Sequence, residues 1–217
     1  MSAVQADAAQ SLAVVLQASG LRYTVGRQVL LDLPALQIPP GVTWVGGGEG
    51  RGKTTLLRLL AGDLAASNGT LHLHGATLPG AAAAYRQQTF WMDPRTNAHD
   101  QVTAHQFFAT TATRYAAWDA GVVVDLCGAL GLGPHLDKPL YMLSTGSKRK
   151  VWLVAALASG AALTLLDEPF AALDKTSIRC LLEYLQEAAT HTRRAWVVAD
   201  YEAPPGVPLA QTIALGA

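Results

Sequence analysis

Residues Gly47-Gly48-Glu49-Gly50-Arg51-Gly52-Lys53-Thr54 satisfy G-x-x-x-x-G-K-[ST], a phosphate-cradling loop. The residue types suit one chemistry. Glycines let the backbone curl so that successive N–H groups point inward at a triphosphate. Lys53 adds a mobile point charge for the β- and γ-phosphates, and the Thr54 hydroxyl can ligate Mg²⁺. The flanks agree: Val42 to Val45 read as a short buried strand entering the loop, and Thr55 to Ala61 as the helix leaving it. The phosphates would then sit at a helix N-terminus, with Thr55 among the nucleotide-binding residues.

A second chemical stretch is Leu163-Thr164-Leu165-Leu166-Asp167-Glu168, an apolar strand ending in two carboxylates. A buried parallel strand delivers its C-terminal end to a phosphate site. Asp167 can hold Mg²⁺, directly or through water, and Glu168 can orient and activate an attacking water. A bound nucleoside triphosphate and Mg²⁺ are what these two stretches imply.

The elements that must position these residues alternate. Strands are expected from Ala13 to Leu16 continuing through Gly20 to Val25, and over Val29 to Leu33, Leu36 to Ile38, Gln88 to Met92, Ala162 to Leu166, Ala195 to Val198 and Thr212 to Leu215. Asn68-Gly69 is a hairpin signal beside the alternating Thr70-Leu71-His72-Leu73-His74, whose histidines fall on the solvent face. Helices are expected over Thr103–Ala117, Trp118–Leu130, Ser144–Ala158 and Asp174–Ala189, with Thr103 and Asp119 as caps. Residues 1–12 are Ala-, Ser- and Gln-rich and are expected to fray. Strands alternating with helices around the loop predict an α/β fold with a mostly parallel sheet. The helix-only stretch of about 94–150 interrupts that alternation as an inserted helical lobe within a single domain spanning 1–217.

Bulk properties bound the partners. The 217 residues carry sixteen basic and sixteen acidic side chains, so the balance gives no argument for nucleic acid. Half the residues are hydrophobic, enough for a substantial core. Cys127 and Cys180 have no metal or redox spacing and read as reduced thiols of a cytosolic protein. The N-terminus shows no secretory signal pattern. The longest uncharged apolar stretch, Val151 to Leu166, is short of a membrane span and is broken by Ser159-Gly160. A membrane location would therefore come through a partner.

With four motifs in order, the chain from about residue 13 onward resembles the nucleotide-binding subunit of an ABC transporter. Leu143-Ser144-Thr145-Gly146-Ser147 stands where that family has LSGGQ, and Lys148-Arg149-Lys150 resembles the basic start of its signature helix. Glu168-Pro169 continues the second motif, Ala171-Ala172-Leu173-Asp174 resembles the D-loop, and Asn68-Gly69-Thr70 with Gly75 resembles the hairpin after the loop helix. The resemblance implies a P-loop NTPase of the ABC ATPase type: a mixed sheet core, an N-terminal antiparallel β part and an inserted α-helical subdomain. It also implies two ATPs sandwiched between two such domains, Ser144 and Gly146 of one facing the P-loop of the other. The implied partners are a second ABC ATPase, as homodimer or heterodimer, and transmembrane permease subunits. That places the chain on the inner face of the cell membrane. The short length and the cadence from Gly131-Leu132 through Pro139 to Leu143 resemble more narrowly the single-domain ATPase of the haem exporter of cytochrome c maturation.

The departures from the family pattern cluster around the γ-phosphate. Asp93 holds the Q-loop glutamine position; its carboxylate could bind metal but would repel phosphate oxygens. Gln87, Gln88 and Gln101 are weaker substitutes. Ala199 holds the switch-histidine position and can neither donate to phosphate nor relay a proton. Thr190-His191 precedes the strand and is a decoy. Glu49 brings negative charge into the loop, with Arg51 beside it as an offset. Tyr23 replaces Val25 as the aromatic for stacking on adenine. The expectation is an ATP hydrolase with slow or asymmetric turnover. The rival is an ATP-gated structural or regulatory subunit of a non-transport complex.

Overall fold

The computed structural model describes residues 14–216. The expected fraying of 1–12 and the placing of Ala13 at the first strand's start lie outside the described residues. The chain forms two sheets. The first is antiparallel, in the order β2-β1-β4-β5, from β1 (Leu16–Val25), β2 (Gln28–Ile38), β4 (Asn68–Leu73) and β5 (Ala76–Leu78). The second is parallel throughout, in the order β6-β7-β8-β3-β9, from β3 (Gly41–Gly46), β6 (Thr89–Phe90), β7 (Leu163–Asp167), β8 (Ala195–Ala199) and β9 (Leu209–Ala214). The fold is thus α/β with a separate antiparallel part, as the sequence suggests.

The inner strands β3, β7 and β8 are buried on both faces, which is why they read as continuous apolar runs. Leu163, Leu165 and Val197 join the cluster around α1 (Lys53–Ala61) and the antiparallel sheet. Their neighbours Leu166, Trp196 and Val198 join the cluster on the opposite face, with α5 (Thr145–Ala158). The period of two along each strand sorts alternate side chains between two cores.

The stretch between β6 and α5 is helical, with α3 (Ala104–Ala112), α4 (Ala120–Ala129) and 3-10 turns at Gly133–His135 and Leu140–Met142. Its caps are those expected. Thr103 and Gln106 form a reciprocal capping box, and the Asp119 carboxylate accepts from the Gly121 and Val122 amides. Two readings need correction. Val29–Leu33 and Leu36–Ile38 are one strand, because β2 lies at a sheet edge where Pro34 removes no ladder bond. Asn68-Gly69 lies inside β4, and the hairpin turn falls at His74-Gly75. Gly69 is needed for a different reason: a Cβ there would stand 2.4 Å from the Gly20 carbonyl oxygen on the neighbouring strand. A further short helix, α2 (Ala82–Gln87), precedes β6, and α6 (Lys175–Ala188) lies between β7 and β8.

Candidate functional site

The ends of β3, β7 and β8 converge on one cavity of about 310 Å³. It is lined by residues 49–55, by Glu168 after β7, by Tyr201 after β8 and by Arg95 from the segment after β6. Gly50 and Gly52 adopt left-handed φ values of +70° and +88°, which let the loop curl before α1 begins. A Cβ on Gly47 would stand 2.9 Å from the Leu215 carbonyl oxygen, so the cradle has no room for a side chain there. Lys53 is buried and donates to the carbonyl oxygens of Gly47 and Gly48 at 2.6 and 3.0 Å. Its Nζ also sits 4.2 Å from the centre of the Tyr201 ring. Glu49 lines the cavity and is exposed, while Arg51 lies along the Gly216 backbone.

Thr54 Oγ1 donates to Asp167 Oδ2 at 2.7 Å, joining the loop helix to the end of β7. The other Asp167 oxygen is buried with no partner among the described residues. Burial pushes the Asp167 carboxyl up, and the Thr54 hydrogen bond pulls it partly back. A hydroxyl and a carboxylate with an unsatisfied oxygen fit a hard divalent cation, so these residues suit Mg²⁺. Glu168 takes a left-handed φ of +44°, an uncommon conformation for a side-chain-bearing residue. Three contacts hold it: its N–H donates to the Ala199 carbonyl at 2.8 Å, and its carbonyl accepts from Arg149 at 2.7 Å and from the Ala171 N–H at 3.1 Å. The turn leaves the Glu168 side chain lining the cavity.

Other expected site residues stand apart. Asp93 does not line the cavity; its carboxylate accepts from the Arg95 amide at 2.9 Å and closes a tight turn. Tyr23 is half-buried against the core under the antiparallel sheet and also lies outside the lining. Ser144 caps α5 by accepting from the Ser147 amide, and Gly146 lies in that helix's first turn. Neither lines the P-loop cavity of its own chain. His191 packs 5.0 Å from the Trp196 ring, ahead of β8, as the decoy reading requires. Arg95 and Tyr201 were not anticipated. Each lies two residues past a motif position, Asp93 or Ala199, and only that spacing could have pointed to them.

The profile of the ABC transporter family matches residues 32–171. The chain belongs to the ABC transporter family. Among curated ABC proteins it is 30% identical over 185 residues to the cytochrome c biogenesis ATP-binding export protein CcmA of Pseudomonas fluorescens, covering 85% of this chain and 86% of that protein. It is 33% identical over 176 residues to the protein of the same name from Nitrosococcus oceani, covering 80% of each. The narrower resemblance to cytochrome c maturation ATPases agrees with these relatives. Of solved structures, an ATP binding subunit of an ABC transporter superposes with a TM-score of 0.76 at 22% identity, over 85% of this chain and 79% of that one. A putative ABC transporter ATP-binding protein from Pyrococcus furiosus gives 0.73 at 20% identity, over 92% and 96%. This ABC-family chain is an ATP-binding subunit of a transporter. None of its described helices is long and apolar enough to cross a membrane.

Proposed function

We propose that the chain binds MgATP at Gly47–Thr54 and hydrolyses it slowly, driving a membrane permease of the export type. The observation that carries this reading is the Thr54–Asp167 hydrogen bond beside Glu168. Thr54 and Asp167 would hold Mg²⁺, whose charge offsets that of the phosphates. Lys53 would exchange its two loop carbonyls for the β- and γ-phosphate oxygens. Glu168 would accept a proton from the attacking water as oxygen bonds to the γ-phosphorus and the bond to the β–γ bridging oxygen breaks, leaving ADP and phosphate. Ser144 and Gly146 would serve the nucleotide of a second cassette, because they lie outside their own chain's cavity. Tyr23 would serve adenine. Asp93 is the weakest metal candidate, since its carboxylate already closes its own turn.

The lobe of about 94–150 would dock the permease and hold the chain on the inner face of the membrane. The names of the relatives make cytochrome c biogenesis the favoured setting, which leaves the non-transport alternative without a specific observation in its favour. The test is nucleotide binding and turnover by the chain purified with its permease. Wild-type should bind MgATP and turn over slowly, and Glu168→Gln should keep binding while losing turnover. A wild-type chain that binds no MgATP would overturn the reading, and rapid, Glu168-dependent turnover by the isolated chain would overturn the slow-hydrolysis part.

A further inference from the structure

Arg95 has an unusual position. Every other lining residue of the cavity comes from the P-loop and α1 or from the ends of β7 and β8. Arg95 alone comes from the segment leading into the helical lobe. Its amide is fixed by the Asp93 carboxylate, yet its guanidinium has no hydrogen bond or ion pair among the described residues. Glu49 and Glu168 line the cavity and Asp167 borders it; of the other two cations in the lining, Arg51 also lies along the Gly216 backbone and Lys53 donates to the Gly47 and Gly48 carbonyls. A planar guanidinium with five donors matches two phosphate oxygens at once.

The segment that carries Arg95 is fastened at its far end to the signature helix. Asp100 accepts from Lys148 Nζ at 2.5 Å, in the first turns of α5. The Asp100 carbonyl accepts from the Tyr141 amide at 3.0 Å, just before the signature. The His99 ring packs 5.0 Å from Phe107 and 6.0 Å from Trp152, a residue of α5. Residues 95–100 therefore span from the phosphate cavity to the element that bears Ser144 and Gly146.

We infer that Arg95 binds the terminal phosphate of ATP, and that residues 95–100, anchored by Asp100 to Lys148, link occupancy of this site to the signature helix. The inference rests on the ATP-binding reading above. It assigns to an arginine, two positions past Asp93, the contact that neither Asp93 nor Ala199 can make.

The test compares ATP and ADP affinity by titration calorimetry with Mg²⁺, on the full chain. Arg95→Ala should weaken ATP at least tenfold and leave ADP within about twofold, with Arg95→Lys restoring part of the loss. Arg95 is exposed, so its substitution should leave the fold intact. Asp100→Asn should weaken ATP about threefold by loosening the segment, and should have no effect when Arg95 is already Ala. Equal losses for ATP and ADP, no loss in Arg95→Ala, or additive effects of the two substitutions would each overturn the inference. A wild-type chain that binds no nucleotide would instead defeat the underlying functional reading.

Discussion

A Cβ placed on Gly146 would stand 2.5 Å from the carbonyl oxygen of Ala172. The signature helix thus starts against the D-loop backbone, at a residue held in a left-handed φ of +61°. Gly146→Ala must push these two segments apart. The overpacking should cost about 1–3 kcal/mol and lower the melting temperature by roughly 2–4 °C per kcal/mol. Nucleotide binding by one chain should survive, because Gly146 does not line its cavity. Thermal melts and ATP titration together check this, and an unchanged melting temperature would show that the segments can yield.

Asp167→Asn keeps an acceptor for Thr54 but removes the charge proposed to hold Mg²⁺. Nucleotide affinity should fall about tenfold or more in Mg²⁺, the scale of a lost charged contact. It should change little in EDTA. Titrations under the two conditions separate a metal role from a structural one.

The buried Tyr85 hydroxyl donates to the Leu60 carbonyl at 2.6 Å, near the C-terminus of α1. That carbonyl belongs to the last turn of the helix, where acceptors lack helical partners. Tyr85→Phe leaves it buried and unpaired. Denaturant unfolding should show a loss of about 1–3 kcal/mol, without a change in the slope against denaturant.

Asp174 caps α6 and accepts from Lys150 at 2.7 Å. The Lys150 hydrogen bond, aided by Ser177, holds its carboxyl far below the ordinary value of 3.8. A depressed folded-state value means stability that is present above 3.8 and is lost as pH falls below it. Asp174→Asn should therefore flatten the acid limb of a stability–pH profile and leave its neutral-to-basic shape alone. Chemical unfolding at a series of pH values below 5 checks the sign.

Much of the site was legible because its chemistry is local. The loop from Gly47 to Thr54 and the pair Asp167-Glu168 each declare themselves within a few residues, and Thr103, Asp119 and Ser144 cap the helices expected of them. What escaped depends on contacts between distant segments. Gly69 looked like a turn residue, but it answers to Gly20 across a strand pair. The separate strands expected over Val29–Leu33 and Leu36–Ile38 are one strand because Pro34 is tolerated where β2 is an edge, which only the topology decides. Arg95 and Tyr201 carry no motif of their own. Their approach to the cavity is set by the turn at Asp93 and by the register of β8 on β3.

Lys148, Arg149 and Lys150 are consecutive, so the helix spreads them around its circumference. Lys148 reaches Asp100, Arg149 reaches the Asp167 and Glu168 carbonyls, and Lys150 reaches Asp174 and the Leu130 carbonyl. Helix ends ordinarily fray, and their amides exchange with solvent first. Here the opening turns of α5 are moored on several sides at once. From Lys148 onward, where the amides have helical acceptors, deuterium uptake should be as slow as that of the helix middle. The face this chain offers to a second cassette would then be set before the two meet, and little ordering would remain to be done on contact.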